Sequence, residues 1–141
     1  MQRKASAIWH GTLKEGKGTI STESGLLKDA PYSFSTRFEN GKGTNPEELI
    51  AAAHAGCYSM ALSNVLTNAK LPPESVDTSA EVTLEKTEAG FTVTKIHLTA
   101  RAKVPGASKD AFTTAANDAK ANCPISRLLK AAEITLDAQL V

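Results

Sequence analysis

The sequence predicts an α+β fold in which an antiparallel β-sheet wraps against a long, central, hydrophobic helix. Apolar side chains occupy nearly every face of the run that begins at Asn45-Pro46-Glu47-Glu48, so a helix there belongs in a core. Apolar and polar residues alternate on either side of Glu88-Ala89-Gly90, and again through Ile134, Leu136, Ala138 and Leu140. The resulting order of strands, helix, strands, helix and strand argues for α+β and against a doubly wound parallel sheet. One domain is expected over residues 1–141, with no internal repeat or linker.

From Ser6 to Thr22 the chain alternates loosely and turns at Glu15-Gly16-Lys17-Gly18, the pattern of a β-hairpin. Thr22-Glu23-Ser24-Gly25 and Lys28-Asp29-Ala30-Pro31 read as loops, and strand-like residues return at Tyr32-Ser33-Phe34. Asn45 is a good N-cap, Pro46 suits the first helical position, and Glu47 and Glu48 face the positive end of the helix dipole. That helix is expected to run to about Lys70, where Leu71-Pro72-Pro73 stops it.

Val76 to Lys86 then alternates, with Thr78, Ala80, Val82 and Leu84 on one side, and a turn leads into a second strand from Phe91 to Ala102. The apolar phase of that strand changes between Val93 and Ile96, which predicts a β-bulge near Thr94-Lys95. Val104-Pro105-Gly106 ends it, Ser108 can cap a helix to about Asn122, and a last alternating strand closes the chain.

A chain of 141 residues can bury about 68% of its unfolded surface, so it needs no disulfide or metal staple. Sixteen basic and fifteen acidic residues leave a net charge of +1 with no long block of either sign, which argues against a nucleic-acid or membrane-surface partner. No signal peptide is expected at the N-terminus, nor any later stretch able to span a bilayer, and the reading is cytoplasmic. Thiols are kept reduced there, so a disulfide would be transient and catalytic rather than structural.

Cys57 and Cys123 are the only cysteines, and 66 residues separate them, so any cooperation must be made by the fold. Cys123-Pro124 looks like a helix start with Cys123 near the N-cap, and electrostatics alone nominates Cys123 as the more acidic sulfur. Cys57, far along its helix among small uncharged neighbours, reads as an ordinary thiol unless the fold supplies a cation. Two inert core cysteines form the competing reading. His54 shares a helix face with Cys57, which raises a Cys-His nucleophile pair or a two-ligand metal start; a histidine satisfied by a backbone carbonyl is the plainer account, and no metal or other cofactor is expected.

Gly18-Thr19-Ile20-Ser21-Thr22-Glu23-Ser24-Gly25, Thr36-Arg37-Phe38-Glu39, the run Gly43-Thr44-Asn45-Pro46-Glu47-Glu48-Leu49-Ile50-Ala51-Ala52-Ala53-His54-Ala55 ahead of Cys57, and the distant Cys123-Pro124 together resemble the osmotically inducible protein C (OsmC) family. The resemblance covers nearly the whole chain and lies closer to the osmotically inducible branch than to its organic-hydroperoxide-resistance relatives. It implies a thiol-dependent peroxidase that reduces organic hydroperoxides to alcohols in oxidative and osmotic stress defence. Cys57 would be the peroxidatic sulfur, Cys123 the resolving one, and Arg37 with Glu47 the activating pair. This reverses the electrostatic nomination of Cys123.

On that reading Cys57 passes through a sulfenic acid to a Cys57–Cys123 disulfide, which a cellular dithiol reduces. Ten residues at about 1.5 Å each put Glu47 and Cys57 roughly 15 Å apart along one helix. The expectation is therefore an intertwined homodimer whose composite sites take Cys57 and Cys123 from one chain and Arg37 and Glu47 from the other. The alternative is a small-molecule or metal-binding stress protein with non-catalytic thiols.

Overall fold

The computed structural model describes every residue from Met1 to Val141. Two compact units divide the chain, residues 1–49 and residues 50–141, and the division falls in the first turn of the long helix. The class is α+β as the sequence predicts, but the strands form two three-stranded sheets rather than one.

In the first unit β1 (Ala5–His10), β2 (Lys17–Thr22) and β3 (Ala30–Ser33) form an antiparallel sheet in that order. The hairpin loop lies over residues 11–16, earlier than the glycine pattern predicts, because Gly18 belongs to β2. Gly18 is paired with Trp9 on one side and Tyr32 on the other, and the two rings approach to 5.2 Å. A Cβ at Gly18 would collide with both rings, so the glycine lets them meet across the middle strand.

β3 begins at Ala30, where a loop was expected; its Pro31 is tolerated because β3 is an edge strand with no further ladder to supply. Phe34, expected to continue the strand, instead starts an unforeseen helix, α1 (Phe34–Phe38). Ser33 and Thr36 cap it reciprocally: the Thr36 N–H donates to Ser33 Oγ at 3.3 Å and the Ser33 N–H to Thr36 Oγ1 at 2.8 Å.

The long helix α2 (Pro46–Asn68) starts as expected, with Asn45 Oδ1 accepting the Glu48 N–H at 2.8 Å. It ends in a left-handed residue, Lys70 at φ 63°, flanked by bonds from the Lys70 N–H to Thr67 O and from the Leu71 N–H to Leu66 O. That is a Schellman ending with lysine in the place glycine usually takes. The helix also contains an 18-residue stretch of mean hydropathy 1.3, which meets the length and composition of a membrane span. This corrects the expectation that no stretch reaches that threshold; alanines and other small residues lift the average without adding large side chains.

In the second unit β4 (Ser75–Thr87) and β5 (Gly90–Lys103) form the expected hairpin, and Thr94 is the extra residue where the register shifts between Thr83 and Leu84. α3 (Lys109–Asn122) and the short α4 (Pro124–Leu128) follow, then β6 (Glu133–Leu140). β6 pairs with β5 in parallel, not antiparallel, so the sheet β4-β5-β6 is mixed. Two helices between β5 and β6 return the chain to the starting end of β5, which a hairpin cannot do. Tyr58, Leu62 and Leu66 of α2 join Leu98, Ala100 and Ala102 of β5 and Phe112 of α3 in one buried core.

Candidate active site

Within the first unit the last turn of α1 presents Arg37 to the first turn of α2. Its Nη2 donates to Glu47 Oε1 at 2.7 Å, and its Nε lies 3.2 Å from each carboxylate oxygen. Such a fork fixes the guanidinium plane as well as its charge. The Asn45 side chain braces the pair: besides capping α2, its Nδ2 donates to Thr36 O at 3.2 Å. Arg37 also lies over the Phe38 ring, 5.3 Å from its centroid. A hollow of about 240 Å³ opens beside it, lined by Trp9, Leu13, Tyr32, Phe34 and Phe38. This apolar wall ends in a cation held on one side by a carboxylate.

Within the second unit α2 and the joint between α3 and α4 bring the two sulfurs together. Both are free thiols, and Cys123 Sγ donates to Cys57 Sγ at 2.6 Å. Cys123 ends α3, its N–H bonded to Ala119 O, and is also the N-cap of α4 with Pro124 next, as expected. Its thiol makes no cap hydrogen bond and is fully buried, turned toward Cys57 rather than outward. Cys57 is only half-buried, so of the two it is the sulfur open to a substrate. Burial pushes the Cys57 thiol above its ordinary pKa and the bond from Cys123 adds to the rise, while a backbone bond from Ile125 opposes it. None of these influences is a cation.

His54 does not pair with Cys57, nor with a backbone carbonyl. It is fully buried, and its Nε2 lies 2.7 Å from Ser126 Oγ. Tyr58, the next buried residue on that face, donates its hydroxyl to Ala116 O at 3.2 Å, and burial holds the phenol well above its usual pKa. No group of three or more His, Cys, Asp or Glu side chains gathers to hold a metal ion.

The OsmC-like protein family model matches residues 39–138, which include Glu47, Cys57 and Cys123. The chain belongs to the OsmC family. Peroxiredoxin OsmC of Escherichia coli is 56% identical to it over 140 residues, covering 99% of this chain and 97% of that one. The organic hydroperoxide resistance protein of Xanthomonas axonopodis pv. citri is 31% identical over 120 residues, covering 83% and 82%. A crystal structure of an organic hydroperoxide resistance protein OsmC from Legionella pneumophila superposes with a TM-score of 0.67 at 27% identity, covering 97% and 96%. The OsmC assignment agrees with the resemblance read from the sequence. What the sequence did not disclose is α1, which aims Arg37, and the second bond of Asn45. The Ser33-x-x-Thr36 spacing was the available signal for the first.

Proposed function

We propose that this chain, a cysteine-based peroxidase of organic hydroperoxides, works as one OsmC-like domain through Cys57 as nucleophile and Cys123 as resolving thiol. The observation that carries the proposal is the 2.6 Å contact between a half-buried and a fully buried free thiol brought together from residues 66 apart. The Cys57 thiolate attacks the outer peroxide oxygen, the O–O bond breaks, the leaving alkoxide takes a proton to become the alcohol, and Cys57 becomes a sulfenic acid. The Cys123 thiol then attacks that sulfur and expels water, leaving a disulfide for a dithiol reductant to open.

Arg37 steadies the thiolate and the departing oxygen, and Glu47 holds the guanidinium plane; neither transfers a proton. The site is completed by a second copy: Cys57 and Cys123 of one protomer meet Arg37 and Glu47 of its partner. Three features support this. Ten residues of one helix, about 15 Å, separate Glu47 from Cys57. The influences on the Cys57 pKa include no cation to lower it. Ala52, Ala53, Gly56 and Met60 leave an exposed, mostly small-residue stripe on α2 that another chain can approach closely. The hydroperoxide's organic part lies against the apolar hollow beside Arg37, and the cytoplasm supplies the reducing surroundings.

Stopped-flow oxidation of the fully reduced protein by cumene hydroperoxide and by hydrogen peroxide tests the reading, with free thiols counted afterwards. Faster reaction with the organic peroxide and loss of both thiols within one chain are expected. Rates no greater than those of free cysteine would overturn it.

A further inference from the structure

His54 and Cys57 are three residues apart on α2, and Cys123 and Ser126 are three apart at the start of α4. The two elements are thus joined by two neighbouring rungs, one of sulfur on sulfur at 2.6 Å and one of His54 Nε2 on Ser126 Oγ at 2.7 Å. The second rung is wholly buried: His54 has no exposed surface and Ser126 only 4%. It links residues 72 apart, so it exists only when α4 is seated on α2.

The imidazole makes one bond where it has two nitrogens to satisfy, since Nδ1 is buried without a partner. Burial holds the ring below its ordinary pKa, hence neutral at neutral pH. With Nε2–H donating to Ser126 Oγ, the unmet group at Nδ1 is a lone pair; with Ser126 O–H donating to Nε2, it is an N–H. An orphan buried polar atom is costly, and apolar residues at both positions 54 and 126 would avoid that cost. Stability alone therefore gives a poor account of a histidine here. The peroxidase cycle offers another: when Cys57 is oxidised, the thiol-to-thiol contact that holds Cys123 against it is gone, and the remaining rung is the one that does not involve sulfur.

We propose that His54 and Ser126 are positioning residues for the resolving step, a redox-inert clamp that keeps Cys123 against Cys57 while Cys57 is a sulfenic acid. The step they serve forms the S–S bond, breaks the S–O bond and releases water, so the sulfenic sulfur is reduced and the Cys123 sulfur oxidised in balance. The proposal rests on the assignment of Cys57 as nucleophile and Cys123 as resolving thiol. Without the clamp Cys123 samples positions beyond disulfide reach, the sulfenic acid persists, and a second peroxide oxidises it to the irreversible sulfinic acid.

The test is rapid-mix oxidation of the full-length Ser126→Ala protein with one equivalent of cumene hydroperoxide. Sulfenic acid is trapped by dimedone and disulfide counted by mass spectrometry over time. Formation of sulfenic acid is expected at the wild-type rate and its conversion to disulfide at least tenfold slower, with sulfinic Cys57 accumulating at higher peroxide. Ser126→Thr, which keeps the hydroxyl, restores the conversion. His54→Gln, which keeps the position polar, supplies the second variant should Ser126→Ala fail to fold. The double variant should be no slower than the slower single one, because the two residues act as one unit. Wild-type conversion rates in folded Ser126→Ala or His54→Gln protein would overturn the clamp alone. A wild-type protein that never forms sulfenic acid at Cys57 would instead overturn the assignment on which it rests.

Discussion

Asn45 donates its side-chain N–H to the carbonyl oxygen of Thr36 at 3.2 Å, tying the helix that carries Arg37 to the helix that carries Glu47. The opposite end of the same amide caps α2 at the Glu48 N–H. The two bonds can be separated by substitution. Asn45→Asp keeps the capping oxygen and removes the donor to Thr36, so it should unfold near the wild-type midpoint yet lose peroxidase activity, by up to about 100-fold if the guanidinium moves by an ångström. Asn45→Ala loses both bonds and should in addition cost about 1 kcal/mol of stability. Urea unfolding beside steady-state turnover distinguishes the two.

On the proposed mechanism the two sulfurs have separable roles. Cys57→Ser should abolish turnover, whereas Cys123→Ser should reduce about one hydroperoxide per chain and then accumulate sulfinic acid at Cys57. Mass spectrometry of both variants after peroxide treatment reads this directly. Turnover in the Cys57→Ser protein at the wild-type rate would remove that residue from the reaction.

The composite site can be tested by mixing inactive chains. On the proposed arrangement, Arg37→Ala would leave Cys57 without its cation, and Cys57→Ser would leave Arg37 without its sulfur. Unfolded together and refolded at equal concentrations, half of the dimers should be hybrids with one complete site of two, giving roughly a quarter of wild-type activity. A site built within one chain gives none.

His54 sets a pH dependence of stability. Burial lowers its pKa from 6.5 in the folded chain, so as pH falls the unfolded chain takes up the proton first. The stabilisation is complete above about pH 6.5, declines below it, and stops declining once pH passes beneath the depressed folded value. The slope cannot exceed about 1.4 kcal/mol per pH unit for this one group. Urea titrations at pH 7.5, 6.5 and 5.5 should show wild type losing between the last two points stability that His54→Gln does not lose.

Much of this architecture was legible from local pattern. Asn45-Pro46 located the start of α2, Ser108 that of α3, and the phase change between Val93 and Ile96 located the bulge at Thr94. Most of the features that escaped depend on distance, and one on an unusual local cap. Alternation through Ile134 and Leu140 marks a strand but carries no direction, and only the length of the α3–α4 connection hints that β6 runs parallel to β5. Tyr32-Ser33-Phe34 looked like strand because the cap that turns Phe34 into α1 uses threonine at the third helical position, where glutamate or glutamine is the usual signal. At the sulfurs, His54 was visible as a neighbour of Cys57 on one face of a helix, but Ser126 lies 72 residues away and nothing local announces it. Cap electrostatics favoured Cys123 because they ignore burial; the fold puts that sulfur inside and leaves Cys57 half open.

Cys123 closes α3 through its N–H on Ala119 and opens α4 through its carbonyl, which accepts the Arg127 N–H at 3.0 Å. A residue that is both the last link of one helix and the first of the next is a swivel, and a rotation of its side chain carries the sulfur without breaking either backbone bond. The oxidised and reduced proteins are then expected to be nearly isomorphous, distinguished by chemistry rather than by silhouette. A reductant that serves such a protein has to recognise it by a surface common to both states, and it gains its selectivity for the spent form only when its own thiol reaches the sulfur.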